Sequence, residues 1–542
     1  MDPPHCEYLA TLDPYAREFA SHMTKGVAIR FRPVTSAFDE LRARLGEVTD
    51  LARASAILGW DQQTMMPPRG AAGRAEELAT LGRVIHERFT APEIGRLLDE
   101  LAEFEQQHPY DSFEASLIRV TRTDWEKARK VPADLRAEMS RASSLAHPIW
   151  VRAREENDFA SFLPALRENL ELRRRYIACF DGDYDEPYDA VLDDYERGMR
   201  TAEVRTIFDY LKEHQGALVR TVADAEPLPE PPKRTFPIER QKQFELEVVR
   251  RFGFDPAAWR LDPTVHPFAS GAGTQDIRIT TRYFEDNLDG LFATMHECGH
   301  GLYEHQIDPQ LERSPLARGT SLGVHESQSR MWENLVGRSL PFWRFFFPRL
   351  EELFPDALRG YDAERWYREV NAVEPSLIRV EADEATYNLH IILRFELEQD
   401  LLAERFPLEQ LPEEWNKRMW EYLRIEVPDD THGVLQDVHW SSGALGYFPT
   451  YALGNLISAQ LWEKVSADLP DLPEAFERGQ FDLLREWLRE HLHRHGRKFT
   501  PRETLERAAG AARIDPEPYM RYLHRKVGEI YGLRDATPRF SK

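Results

Sequence analysis

Residues 294–300 read Thr294-Met295-His296-Glu297-Cys298-Gly299-His300. They contain His-Glu-x-x-His, in which two imidazoles stand four positions apart. On a helix of 3.6 residues per turn, positions i and i+4 share one face, so His296 and His300 can reach one ion together. Glu297 projects about a quarter-turn away. It can touch a water on that ion without occupying a coordination position. This combination points to metal-assisted hydrolysis with Glu297 as general base.

The flanks favour a helix here. Leu288, Leu291, Phe292 and Met295 recur at helical spacing, and Leu302 and Tyr303 carry the apolar face past His300. Pro309 and Pro315 then break the pattern. A second helix is expected from Thr320 or Ser321, both good caps, through Leu322, Val324, Met331, Trp332, Leu335 and Val336. A catalytic zinc site needs a third protein ligand and an open position. The second helix offers Glu326 in His325-Glu326-Ser327-Gln328-Ser329, with Glu333 as the competing carboxylate. Spacing favours Glu326 only weakly.

Further motifs follow a recognisable order. They are His266-Pro267-Phe268, Asp276-Ile277-Arg278-Ile279-Thr280, the His296–His300 motif, the Glu326 segment, Ile378-Arg379-Val380-Glu381-Ala382-Asp383, and Gly433-Val434-Leu435-Gln436-Asp437-Val438-His439-Trp440 continuing to Gly446-Tyr447-Phe448-Pro449. In these the chain resembles the carboxypeptidase Taq (M32) metallocarboxypeptidases, from about Phe38 to Gly532. The resemblance implies Glu326 as third ligand and one divalent metal per chain, Zn2+ or alternatively Co2+. It also implies broad-specificity removal of C-terminal residues from peptides, and a homodimer. The expected fold is mainly α, a large helical metallopeptidase with a deep central cleft and a small β-sheet lining the active site.

The remaining motifs suit that chemistry. A carboxypeptidase must hold a free carboxylate one residue beyond the scissile bond, and the planar fork of Arg donates two parallel hydrogen bonds to such a group. Arg278 and Arg379 are the candidates. Each lies in a short alternating segment that reads as strand, and the two strands together are expected to line the cleft. His439, His266, Tyr447 and Tyr451 are candidates to face substrate or the developing oxyanion. The expected assignment places His439 and Tyr447 with Glu297 in catalysis and His266 with the two arginines in substrate binding. Asp437 and Asp383 are candidates to orient a ligand imidazole.

The whole chain sets bounds on these readings. Long helical patterns recur through its 542 residues, and no low-complexity linker separates them. Residues 227–237, rich in proline, read as an extended surface loop. One helical peptidase unit is expected over residues 36–542, with a helical cap over about 36–175 and a catalytic core over 176–542. Leu41, Leu45, Val48 and Leu51 begin the cap at helical spacing, and Met66-Pro67-Pro68 ends that helix. Residues 1–35 lie outside the resemblance and are expected to form a poorly ordered extension.

The formal charge of −23, from 93 acidic and 70 basic side chains, argues against nucleic acid as a partner. No apolar run approaches a membrane span, and the N-terminus lacks the layout of a secretory signal. Cys6, Cys179 and Cys298 make no disulfide framework. A cytoplasmic location follows as the expectation, with Cys298 a packing residue. Besides a catalytically dead scaffold that keeps the fold, against which the intact Glu297 argues, two rival readings remain. One is an endo-acting helical metallo-oligopeptidase. The other is a di-iron carboxylate protein built on Glu297-x-x-His300 and Glu490-His491-Leu492-His493, although the 490–495 run reads better as a polar helix end before Gly496.

Overall fold

The computed structural model describes residues 37–533. The proposed extension over residues 1–35 lies outside the described residues. Helices dominate the chain, from Ala37–Thr64 at the start to Glu517–Tyr531 at the end. Among the described residues there is one sheet, of three strands: β1 (Trp259–Pro263), β2 (Ala269–Gly271) and β3 (Ile277–Thr281), in the order β1-β3-β2. β1 runs parallel to β3 and β2 antiparallel to it. No described helix is long and apolar enough to cross a membrane.

The sheet and three helices frame the His-Glu-x-x-His segment, which lies on the helix Asp289–His305, the motif helix. Leu291, Met295, Cys298, Leu302 and Tyr303 bury its apolar face in one core cluster with Trp259, Ile277 and Ile279 of the sheet. Each large side chain so buried contributes about 1.5–3 kcal/mol of transfer free energy. Alternation along β3 turns Ile277 and Ile279 into that core and leaves Arg278 on the other face. Sheet and helix meet closely at Gly301, where a Cβ would come within 2.4 Å of the Trp259 ring.

The next helix, Leu322–Arg330, starts as expected. Ser321 caps it, its hydroxyl accepting from the Val324 amide at 3.2 Å. Its backbone presses on the motif helix at Gly299, where a Cβ would stand 2.5 Å from the Gln328 carbonyl oxygen. On its other side it meets Gly454 of the helix Pro449–Asp468, where a Cβ would stand 2.5 Å from Cγ of Glu326. The expected helical run through Val336 is continuous but changes pitch: Met331–Val336 is a π-helix.

The N-terminal helices lie over this core. Leu41, Leu45, Ile94, Leu97, Leu117 and Ile118 pack with Leu311 and Leu316, which follow the motif helix. Trp60, near the end of the first helix, carries Arg260 and Arg278 over its ring at 4.4 and 4.5 Å, contacts each worth about 0.5–1 kcal/mol at partly exposed sites. The helix Phe159–Ala178 runs across residue 175, and its Phe162 and Leu166 share a cluster with Leu389 and Leu453 far along the chain.

One expected element is absent. Residues 378–380 do not form a strand; Arg379–Glu381 is a single 3₁₀ turn. The Arg379 amide donates to the Gln436 side chain at 3.0 Å, and the Glu381 amide to the Ile378 carbonyl at 3.0 Å. The backbone hydrogen bonds are therefore used locally and against a side chain, so alternation of Arg379 inward and Val380 outward arises without a sheet.

Candidate metal centre and active site

Three side chains from two helices converge. Nε2 of His296 and Nε2 of His300 lie 3.5 and 3.4 Å from Oε2 of Glu326. Donor atoms about 2.0–2.1 Å from a tetrahedral ion stand roughly 3.3–3.4 Å apart. The spacing and the two-nitrogen, one-oxygen donor set therefore fit a divalent ion. Among the described residues these three form the group of His, Cys, Asp and Glu side chains placed to hold one.

The second oxygen of Glu326 is held elsewhere. Arg330 Nε donates to Oε1 at 2.7 Å, and Ser329 Oγ donates to Oε2 at 3.1 Å. This pins the carboxylate with Oε2 toward the imidazoles. Burial raises the Glu326 pKa, but His296 and Arg330 outweigh it and hold it well below the usual carboxylate range. Arg330 also reaches Oε2 of Glu333 at 3.3 Å and stacks over the Tyr387 ring at 4.2 Å.

Both imidazoles are fixed from behind. His296 Nδ1 lies 2.9 Å from Oε2 of Glu333, so Glu333, the competing ligand on sequence grounds, is instead the hydrogen-bond acceptor for a histidine. His300 Nδ1 lies 2.6 Å from Nδ1 of His325, whose Nε2 lies 2.9 Å from Glu304. The proton assignment follows from Glu304, a carboxylate that only accepts. His325 donates from Nε2, accepts at Nδ1 from His300, and leaves the His300 Nε2 lone pair directed at Glu326 and the ion position. Burial and His325 push the His300 pKa down to about 4, consistent with a neutral ring. Neither Asp437 nor Asp383 does this work, contrary to their candidacy. Asp437 is taken by Arg379 and Arg394, and Asp383 accepts from the Thr386 hydroxyl and the Ala385 amide.

Glu297 is buried beside the ligands and makes no hydrogen bond among the described residues. Burial raises its pKa to about 7, with the Glu326 and Glu333 charges adding to the rise and His296 opposing it. Cys298 points into the core, fully buried, and burial raises its thiol pKa. It packs, as expected, and is not in the donor cluster.

The sequence candidates beyond the ligands divide. Arg379 is buried and pairs with Asp437 at 2.9 Å, donates to the Tyr387 hydroxyl at 3.0 Å, and lies over the Tyr451 ring at 4.9 Å. His439 Nε2 is 3.2 Å from the Tyr451 hydroxyl, and its ring lies 5.3 Å from that of Tyr447. Burial, with Arg379 and Arg394 adding to it, lowers the His439 pKa to about 3 despite Asp437, so the ring is neutral. Tyr447 in turn feels the Glu326 charge, and burial with that charge raises its pKa. A continuous polar wall thus runs from Glu326 through Tyr447, Tyr451 and His439 to Arg379. Arg278 is not part of it: it forms a two-pronged pair with Asp276 at 2.8 and 3.0 Å over Trp60. His266 is exposed, its pKa lowered by desolvation and by Arg282 and Arg154, and it makes no contact with that wall among the described residues.

Three residues here escaped the sequence reading: His325, Glu304 and Arg330. Each carried a faint signal. His325 directly precedes Glu326, Glu304 is i+4 from His300, and Arg330 is i+4 from Glu326. The 490–495 run, by contrast, is not simply a polar helix end. His493 is fully buried, bridging Gln306 at 2.7 Å and Gln328 at 2.8 Å.

Residues 40–527 match the sequence profile of the carboxypeptidase Taq (M32) metallopeptidases. The chain belongs to this family. It is similar to thermostable carboxypeptidase 1 of Thermus thermophilus, 42% identical over 92% of this chain and 99% of the relative, and to carboxypeptidase 1 of Bacillus subtilis, 36% identical over 90% and 97%. Among solved structures, the M32 carboxypeptidase of Deinococcus radiodurans superposes with a TM-score of 0.88 at 39% identity, covering 92% of this chain and 100% of that one. The Pyrococcus furiosus carboxypeptidase gives 0.87 at 36%, covering 91% and 99%. As an M32 member the chain is a metal-dependent carboxypeptidase, a peptide hydrolase with a mainly helical fold and a small sheet. The endo-acting and di-iron readings are not favoured.

Proposed function

We propose that His296, His300 and Glu326 hold a zinc ion, with cobalt as the alternative, and that the chain uses it to remove single residues from peptides with a free C-terminus. The convergence of these three side chains around a free, buried Glu297 carries the reading. Nitrogen and carboxylate donors suit zinc; metal supply decides between first-row ions at such a site. When bound, the ion supplies Lewis acidity, acidifying a water and polarising the scissile carbonyl.

The protein's own groups do the rest. Glu297, with a pKa near neutrality, takes a proton from the attacking water and returns it to the leaving amine. Tyr447, whose hydroxyl feels the Glu326 charge, is the proposed donor to the carbonyl oxygen as charge develops there. His439, neutral and bonded to Tyr451, orients this wall. Arg379 is the proposed clamp for the terminal carboxylate, because it ends the polar wall that begins at the metal ligands. Arg278 and His266 are proposed to border the substrate cleft further out, beneath the N-terminal helical cap. A homodimer in the cytoplasm is the proposed physiological state; the family resemblance supports the first, and free Cys179 and Cys298 are compatible with the second.

Digestion of one unblocked peptide, followed by mass spectrometry, tests the reading. The expected result is a ladder of products shortened one residue at a time from the C-terminus, stopped by a chelator and by C-terminal amidation. Internal cleavage of the amidated peptide would overturn it.

A further inference from the structure

We propose that Glu398, a buried carboxylate outside the donor cluster, is the positioning residue for the loop that carries His439 and Tyr447, and that turnover depends on its holding that loop at both ends. This rests on the reading above that places His439 and Tyr447 in the catalytic wall.

The loop closes only partly on itself. It starts in the 3₁₀ turn His439–Ser442, and Gly443 and Gly446 then adopt φ of 66° and 85°, left-handed values that favour glycine. The Gly443 amide donates to Trp440, the Ala444 amide to His439 and the Leu445 amide to Gly443, all within the loop. The Gly446 amide leaves it and donates to Oε2 of Glu398 at 2.9 Å. At the other end the Trp440 indole donates to Oε1 at 3.0 Å. One carboxylate thus ties the residue after His439 to the residue before Tyr447. Behind Gly446 stands the segment Pro187–Leu192: a Cβ on Gly446 would come within 2.6 Å of the Val191 carbonyl oxygen. From the same segment the Tyr188 hydroxyl donates to Oε2 at 2.6 Å.

Three neutral donors converge on Glu398, and among the described residues no cation bonds to it. Burial raises its pKa to about 7, against the opposing pull of Tyr188, Gly446 and Trp440. A buried carboxylate without a cation is costly where packing is all that is needed. What it adds is acceptors at both oxygens and no donor, whereas an amide would set its NH2 group against one of the three. Position gives that cost a purpose. Glu398 lies one turn beyond Arg394 on the helix Tyr387–Leu402, so the two share a face. Arg394 holds Gln436 at 2.8 Å and Asp437 at 2.6 Å, ahead of His439. Glu398 holds Trp440 and Gly446, behind it. One helix therefore grips this part of the catalytic wall on both sides, and Glu398 is the grip next to Tyr447. A hydroxyl that must meet a developing charge tolerates little displacement: about 1 Å can cost 10²-fold in rate.

The test is a double-mutant cycle on the full-length, zinc-loaded protein with one unblocked peptide, using Glu398→Gln, Tyr447→Phe and the two combined. Glu398→Gln should lower kcat about 10- to 100-fold at wild-type zinc content. Its KM should stay within about twofold, the signature of an interaction made in the transition state alone. In the Tyr447→Phe background the same substitution should cost less than about threefold, because residues that act as a unit are not additive. Tyr188→Phe, which removes a donor to the same carboxylate and leaves both loop tethers, should lower the melting temperature and keep kcat within about twofold, separating stability from positioning. Wild-type kcat in Glu398→Gln, or an equal fold-loss with and without the Tyr447 hydroxyl, would overturn the proposal. Should Glu398→Gln fail to fold, Glu398→Asp, which keeps the charge and shortens the reach, takes its place with the same coupling expected. Tyr447→Phe alone reads the assignment beneath: full turnover there removes Tyr447 from the reaction. His439→Ala then replaces it in the cycle, and an additive loss with Glu398→Gln overturns the positioning role.

Discussion

Glu333 stands 2.9 Å from Nδ1 of His296 and reaches it from the π-helical turn that follows the Glu326 helix. A π turn adds a residue to the helical repeat, and here it lies where Glu326, Arg330 and Glu333 must all face one point. Acceptors behind a ligand histidine fix its orientation and raise its basicity. Glu333→Gln and His325→Ala should each weaken metal binding by about 10- to 100-fold. Competition against a calibrated chelator measures this, and unchanged affinity in both variants would remove these residues from the metal centre.

Among the described residues Glu297 makes no hydrogen bond to another side chain, so replacing it removes chemistry and little else. Glu297→Gln should lower kcat by about 10²- to 10⁴-fold while metal content per chain and melting temperature stay at wild-type values. A variant retaining full turnover would reassign the general base.

The two arginines make distinguishable predictions. Arg379→Lys keeps the charge beside Asp437 but loses the fork, and should lower kcat/KM on peptides with a free terminus by about 10- to 100-fold, the scale of a charge-assisted hydrogen bond of 1.5–3 kcal/mol. Arg278→Lys, paired with Asp276 and stacked on Trp60, should act much less. Steady-state kinetics with both variants decides; the reverse order would move the clamp to the sheet.

Gly454 admits no side chain. A Cβ there would stand 2.5 Å from Cγ and 2.6 Å from Cβ of Glu326. Gly454→Ala should cost about 1–3 kcal/mol by overpacking and also weaken metal binding by displacing Glu326. Thermal melts with and without added zinc report both effects, and a metal-induced gain in melting temperature equal to that of the wild type would refute the second.

Glu245, bonded to Thr294 of the motif helix, supplies a further pH-dependent term. Burial raises its pKa to about 8, although the Thr294 hydroxyl donates to it at 2.8 Å. The folded state thus binds this proton more tightly than the unfolded state, whose carboxyl titrates near 4.3. Stability from this group is full below pH of about 4 and declines as pH rises toward about 8, because the unfolded state then binds fewer protons. Glu245→Gln removes the decline. The melting temperature of the variant should gain on the wild type progressively between pH 5 and 8, and parallel curves would contradict the buried carboxyl.

Local pattern carried far. The motif helix, the Ser321 cap, the proline break between the two helices and the β3 strand at Arg278 were all legible, because each depends on the spacing of apolar residues and on capping within a few positions. The segment 378–380 was misread for the same reason: alternation alone cannot tell a strand from a turn whose amide bonds to Gln436, 57 residues away. Glu326 was preferred over Glu333 through family likeness, since both lie on one helix and spacing hardly separates them.

The sequence by itself determined the candidate ligands His296 and His300 and the candidate base Glu297, since positions i and i+4 share one helical face, and six motifs in order carried the resemblance that points to a carboxypeptidase. The tertiary structure set Glu326 rather than Glu333 on the Nε2 side of the imidazoles, joined Arg379 rather than Arg278 to the polar wall, and alone brought His325 and Glu304 behind His300. Those outcomes depend on how closely separate helices approach, at Gly299 and Gly454, where the missing Cβ brings backbones and side chains into contact at distances no local periodicity encodes.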